Sequence, residues 1–178
     1  MQSYLEVQLP ISKNARWISD LKSQLKGVPI RWQNGFYHIT LAFLDDSPNK
    51  LDVSSVIDRH MNNATIYNLC FDKLDAFTTT SSKMHIINLT ATDVPGPFIN
   101  WVNGIRNDLV ANGCVMQSGF RLHVTLGRVD SSAIKIDRLQ GLIEKFRMPS
   151  FVLPLRSFDY REFRGETIKR WKINNKTL

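Results

Sequence analysis

Cysteine is scarce in this 178-residue chain, with only Cys70 and Cys114. Two cysteines are too few for a disulfide framework, and neither belongs to a Cys-x-x-Cys pair, so a reducing, cytoplasmic setting is expected. Long hydrophobic runs are also missing. None approaches the roughly 20 residues that a membrane-spanning helix needs, so no membrane partner is expected. Met1 to Ile11 alternates between apolar and polar, and has neither the basic start nor the small-residue cleavage site of a signal peptide. With 43% hydrophobic and 22% charged residues, the chain reads as one globular domain over residues 1–178, expected to be a monomer.

Acidic residues are the other shortage. There are 16 Asp and Glu against 23 Lys and Arg, a net charge of +7. The excess is uneven: residues 1–89 carry a net +1 and residues 90–178 a net +6. It gathers toward the end, at Arg161, Arg164, Lys169, Arg170, Lys172 and Lys176. A basic half suits an anionic partner, nucleic acid being the commonest, and equally suits a merely soluble basic surface.

Histidine is rare as well, but two of the four stand in one repeated motif. The copies are Tyr37-His38-Ile39-Thr40-Leu41-Ala42 and Leu122-His123-Val124-Thr125-Leu126-Gly127. In an extended strand, side chains alternate faces, so each His shares a face with its Thr, about 7 Å along the strand. The apolar residues between them turn to the other face. Continued alternation puts Ala42 and Gly127 on the His/Thr face as space for a substrate, Phe36 beside His38 and Arg121 beside His123. Phe36 can stack a base, and Arg121 can bind phosphate. His60 reads as a packed residue on a helix stripe, and His85 lacks the Thr and stays outside the site.

Apolar spacing predicts four helices, through Ala15–Leu25, Val53–Met61, Phe98–Leu109 and Ile136–Phe146. Gly113 is placed to end the third in a left-handed cap. Strands are predicted near 4–11, 37–44, 66–77, 83–91, 121–129, 151–160 and 167–173. A polar turn, Thr78-Thr79-Thr80-Ser81-Ser82, divides two units of the same order, near 1–80 and 81–178. The spacing matches too: Gly27 precedes His38 by 11 residues and Gly113 precedes His123 by 10. A duplicated unit can bring two equivalent histidines face to face across a pseudo-twofold axis.

An imidazole titrates near pH 6.5, so at neutrality one of a pair can be a base while the other is an acid. Threonine hydroxyls beside them can stabilise charge building up on phosphoryl oxygens. Such a site can open a cyclic phosphodiester. No carboxylate or cysteine lies at ligand spacing from either motif, so neither a metal nor any other cofactor is expected.

These residues resemble the 2H phosphoesterase superfamily, defined by two H-x-[ST] motifs, and most of all its bacterial RNA 2′,3′-cyclic phosphodiesterase branch, once called 2′-5′ RNA ligases. His38-Ile39-Thr40-Leu41-Ala42-Phe43-Leu44 is similar to H-[IL]-T-L-x-F-L, and His123-Val124-Thr125-Leu126-Gly127-Arg128 to H-x-T-L-x-R. The resemblance implies an α+β fold: two pseudo-twofold lobes, their antiparallel sheets facing each other across a central cleft lined by His38, Thr40, His123 and Thr125. It implies a hydrolase that acts on 2′,3′-cyclic phosphate at RNA ends, with His38 as acid toward the leaving 3′ oxygen and His123 as base on water. The family's phosphate-binding arginine maps to Arg128, which strict alternation puts on the face away from His123 unless a bulge re-aims it. Leu122 stands where the family commonly has proline. Alternatives are a 2′-5′ linked or cyclic oligonucleotide, a small nucleotide cyclic phosphate, or an RNA-binding module without turnover.

Overall fold

The computed structural model describes residues 3–45, 50–62, 64–79, 82–116, 119–162 and 165–173. Along them run β1 (Ser3–Leu9), α1 (Arg16–Gln24), β2 (Arg31–Trp32), β3 (Tyr37–Asp45), α2 (Lys50–Met61), β4 (Tyr67–Phe71), β5 (Lys73–Thr78), β6 (Met84–Thr90), α3 (Gly96–Ala111), β7 (Val115–Met116), β8 (Val124–Asp130), α4 (Ile136–Ile143), β9 (Phe151–Leu155), β10 (Ser157–Glu162) and β11 (Thr167–Lys172). No helix among the described residues is long and apolar enough to cross a membrane.

The helices form where the apolar stripes predict them. In α3, Phe98, Val102, Ile105 and Leu109 are buried on one side, each worth about 1.5–3 kcal/mol of apolar burial. A proline in the first turn suits the start of that helix, where a backbone N–H has no partner anyway. At its end Gly113 has φ +86°, and the Gly113 and Cys114 N–H groups donate to the Val110 and Leu109 carbonyls. That left-handed turn favours glycine.

Two of the predicted strands are each a pair. The segment 66–77 breaks at Asp72 into β4 and β5, and 151–160 breaks at Arg156 into β9 and β10. The breaks let β4 and β9 pair with each other in a small sheet while β5 and β10 join the main one. Thr80 and Ser81 of the polar turn, and Arg164 and Lys176 of the basic tail, lie outside the described residues.

The main sheet runs β11-β10-β1-β3-β8-β6-β5, and its order carries the duplication. β1, α1, β3, α2, β4 and β5 recur as β6, α3, β8, α4, β9 and β10. β10 pairs antiparallel with β1 as β5 does with β6, and β2 pairs with β8 as β7 does with β3. The halves of the sheet meet where β3 pairs antiparallel with β8, at Ile39 opposite Val124. Both are 0% exposed, and both are the middle residue of an H-x-T motif. The pseudo-twofold axis therefore passes between the two motifs.

Candidate active site

An antiparallel pair centred on Ile39 and Val124 sets His38 beside Thr125 and Thr40 beside His123. All four side chains emerge on one face, half-buried, while Tyr37, Ile39, Leu41, Leu122, Val124 and Leu126 are buried on the other. The imidazoles are oriented alike. His38 Nδ1 lies 3.5 Å from the Phe36 carbonyl and His123 Nδ1 lies 3.0 Å from the Arg121 carbonyl. A carbonyl only accepts, so Nδ1 carries the hydrogen in both rings and Nε2 is the nitrogen left for chemistry.

Each motif strand then bulges at the same place. β1 is in register with β3 through Glu6 opposite Thr40, then resumes at Leu5 opposite Ala42, leaving Leu41 as the extra residue. β6 pairs Asn88 with Thr125 and Ile87 with Gly127, leaving Leu126 extra. The carbonyls of these two leucines find donors elsewhere: Arg106 Nη1 of α3 donates to Leu41 at 2.9 Å, and the Gln33 N–H donates to Leu126 at 2.8 Å. A bulge reverses the alternation beyond it.

That reversal corrects one expectation. Ala42 and Gly127 do not continue the His/Thr face. Ala42 is 1% exposed and pairs with core Leu5, and Gly127 pairs with core Ile87. Gly127 is small for another reason, since a Cβ there would meet Ile30 Cγ2 at 2.6 Å and Trp32 Cε3 at 3.2 Å. The same reversal returns Arg128, opposite Ile86, to the face of His123, and its charge is felt at that ring.

With that geometry the chain matches solved structures along nearly its whole length. It superposes on E. coli LigT complexed with 3′-AMP at a TM-score of 0.64 and 20% identity, covering 98% of both chains. Usb1 of Kluyveromyces marxianus gives 0.64 at 9% identity over 97% of both chains. The MHV ns2 PDE domain gives 0.55 at 17% identity, over 97% of this chain and 100% of that one. This is the 2H phosphoesterase fold. No family model and no curated protein matches the sequence itself.

On this 2H phosphoesterase fold the two histidines sit in different electrostatic settings. Burial pushes the His123 ring below the usual histidine range. The bond to the Arg121 carbonyl opposes that shift, while the positive charges of Arg121, His38 and Arg128 add to it. His123 therefore rests neutral at pH 7. Beside His38 lies a carboxylate instead, with Glu6 Oε2 4.0 Å from His38 Nε2.

Beside each histidine is a phenylalanine–arginine pair, with the partners exchanged between halves. Phe36 meets His38 edge-on at 5.9 Å, and the Arg161 guanidinium lies 5.2 Å from the Phe36 ring. Phe77 meets His123 edge-on at 5.3 Å, with Arg121 4.3 Å from the Phe77 ring. Each arginine is anchored by a carboxylate: Arg161 by Glu6 at 3.3 Å, Arg121 by Asp75 at 2.7 Å. Phe36, Arg121 and Arg128 are thus all near the quartet.

Sequence alone does not assign Glu6, Phe77, Asn88 or Arg161 to the site, and it reads Arg161 only as part of the basic tail. The available signal was the alternation Tyr4-Glu6-Gln8, which sets a glutamate on the polar face of an otherwise apolar strand. His85 and His60 lie elsewhere. His85 is buried between Thr78 Oγ1 (2.8 Å) and the Ile134 carbonyl (2.9 Å), and His60 ties α2 to Asp108 of α3 at 2.8 Å.

Proposed function

We propose that this protein is a metal-independent phosphodiesterase that opens 2′,3′-cyclic phosphate at RNA ends by two-histidine acid–base catalysis. The observation that carries the reading is the antiparallel pairing of Ile39 with Val124, which gathers both H-x-T motifs on one face. His123 Nε2 takes a proton from water as the water oxygen attacks phosphorus. The P–O bond to one ribose oxygen breaks, and that oxygen keeps the electron pair and takes the proton from His38 Nε2. The product is a phosphomonoester. Thr40 and Thr125 donate to the non-bridging oxygens, and the Arg128 guanidinium offsets the charge that develops there. E. coli LigT, which shares the fold, is known in complex with 3′-AMP, a nucleoside with phosphate on a ribose oxygen.

The test is a short RNA ending in 2′,3′-cyclic phosphate, incubated with the protein in EDTA. A single phosphomonoester end is expected, and an intact ring after prolonged incubation would overturn the reading.

One observation favours a second substrate. A phenylalanine–arginine pair stands beside each histidine, which suits a phosphate with a nucleoside on both sides. A 2′-5′ linked oligonucleotide has that form. Cleavage of such an oligomer with the cyclic end untouched would select it.

A further inference from the structure

The pseudo-twofold axis makes the two histidines equivalent in sequence and in backbone setting, yet the reaction needs one as acid and the other as base. Something must break the symmetry. Opposite each motif threonine, on the neighbouring strand, is a fully buried polar side chain: Glu6 opposite Thr40 and Asn88 opposite Thr125, both 0% exposed. The next strand out repeats the match, with Asp159 opposite Glu6 and Asp75 opposite Asn88. The two positions are structural counterparts, and only the one on the His38 side is a carboxylate.

The contacts of Glu6 are divided. Oε1 accepts from Arg161 Nη1 at 3.3 Å and from Gln8 Nε2 at 3.4 Å. Oε2 is buried with no hydrogen-bond partner among the described residues, 4.0 Å from His38 Nε2. Asn88 Nδ2 donates to the Asp75 carbonyl at 3.0 Å and brings no charge to His123. A buried carboxylate is costly unless compensated; Arg161 compensates through Oε1, and Oε2 is left facing one imidazole.

Building on the phosphodiesterase reading, we propose that Glu6 is a positioning residue that breaks the site's symmetry: its carboxylate keeps the proton of the histidine pair on His38, so that His38 enters the reaction as acid and His123 as base. Glu6 acts through His38, because its side chain is fully buried and Oε2 faces His38 Nε2. Several other groups face His38. Tyr4 on β1, with its ring 6.5 Å away, is held neutral by burial, which raises its phenol. Arg161 on β10 is engaged by Glu6, Asp159 on β10 is held by Arg170 at 2.6 and 2.7 Å, and His123 approaches from β8. Among these, Glu6 is the acid that is turned toward the ring.

The experiment is an NMR titration of the His38 and His123 ring signals in the unaltered protein, in Glu6→Gln and in Asn88→Asp, alongside pH–rate profiles on the cyclic-phosphate RNA. As pH rises, His123 is expected to lose its proton before His38. In Glu6→Gln the His38 transition moves to lower pH, the alkaline limb of the rate profile moves with it, and kcat falls about tenfold with KM little changed. In Asn88→Asp the new carboxylate holds a proton on His123, so its transition moves up and kcat again falls. This second variant carries the test if Glu6→Gln does not fold. A purely structural role for Glu6 would reduce stability and leave the titrations in place. Unchanged titrations in the folded variants, or His123 keeping its proton longest in the unaltered protein, would overturn the proposal. Absence of turnover would reject the phosphodiesterase reading alone, since the titration needs no substrate.

Discussion

His123 carries the clearest single-residue consequence. Burial holds its ring below the usual histidine range, so a base role keeps it competent under mildly acidic conditions. The acid limb of kcat is therefore expected below pH 6.5, the ordinary histidine value. Stability follows the same sign. The unfolded chain takes a proton on this ring near pH 6.5 and the folded chain only at lower pH. The contribution of His123 is thus fully present above 6.5 and is lost as pH falls through the folded value. Urea denaturation between pH 8 and 5 checks this, with the loss flattened in His123→Gln. The sequence made this residue and its three companions legible because alternation in a strand is strict over three residues. It could not reveal Glu6 as a partner of His38, because that contact depends on which strand lies next to β3.

At the scale of elements, the two bulges decide what each motif strand presents. Nothing in Leu41 or Leu126 announces a bulge. Each leucine would serve equally in a regular strand, and the irregularity exists only in register against β1 or β6. Strict alternation therefore puts Ala42 and Gly127 on the wrong face, and the bulge turns Arg128 to the face of His123. The helices and most strands were legible because their apolar spacing is local, whereas the breaks at Asp72 and Arg156 were not. The two-residue strands β2 and β7 were not, being too short to show a period. Gly127 is the sensitive point, because it pairs with Trp32 of β2 and a Cβ there would come within 2.6 Å of Ile30 Cγ2 and 3.2 Å of Trp32 Cε3. Gly127→Ala is expected to destabilise the fold by about 1–3 kcal/mol through forced repacking of Ile30 and Trp32. A chemical-denaturation midpoint unchanged from the unaltered protein would contradict that packing.

At the scale of the molecule, part of the basic charge of the second half is paired with carboxylates of the first. Arg161 is paired with Glu6 at 3.3 Å, Lys169 with Asp58 at 2.8 Å and Arg121 with Asp75 at 2.7 Å, so three of the six excess charges meet carboxylates of residues 1–89. The net +6 that composition assigns to residues 90–178 thus overstates what an RNA meets. If all six charges met phosphates on a single strand, the logarithm of affinity would fall against the logarithm of salt with a slope of about −4. A slope of about half that or less is expected, measured by titrating a non-cleavable single-stranded RNA at several salt concentrations. The repeat was legible as order and spacing, but how it closes was not: β3 and β8 join the halves, and β10 returns to β1 from the far end of the chain. The central claim is that this closure makes one reaction centre from two motifs. Turnover of cyclic-phosphate RNA by folded His38→Ala and His123→Ala tests it most directly. Each variant is predicted to lose about 10²–10⁴-fold in kcat. Turnover near that of the unaltered protein by either folded variant would contradict the account.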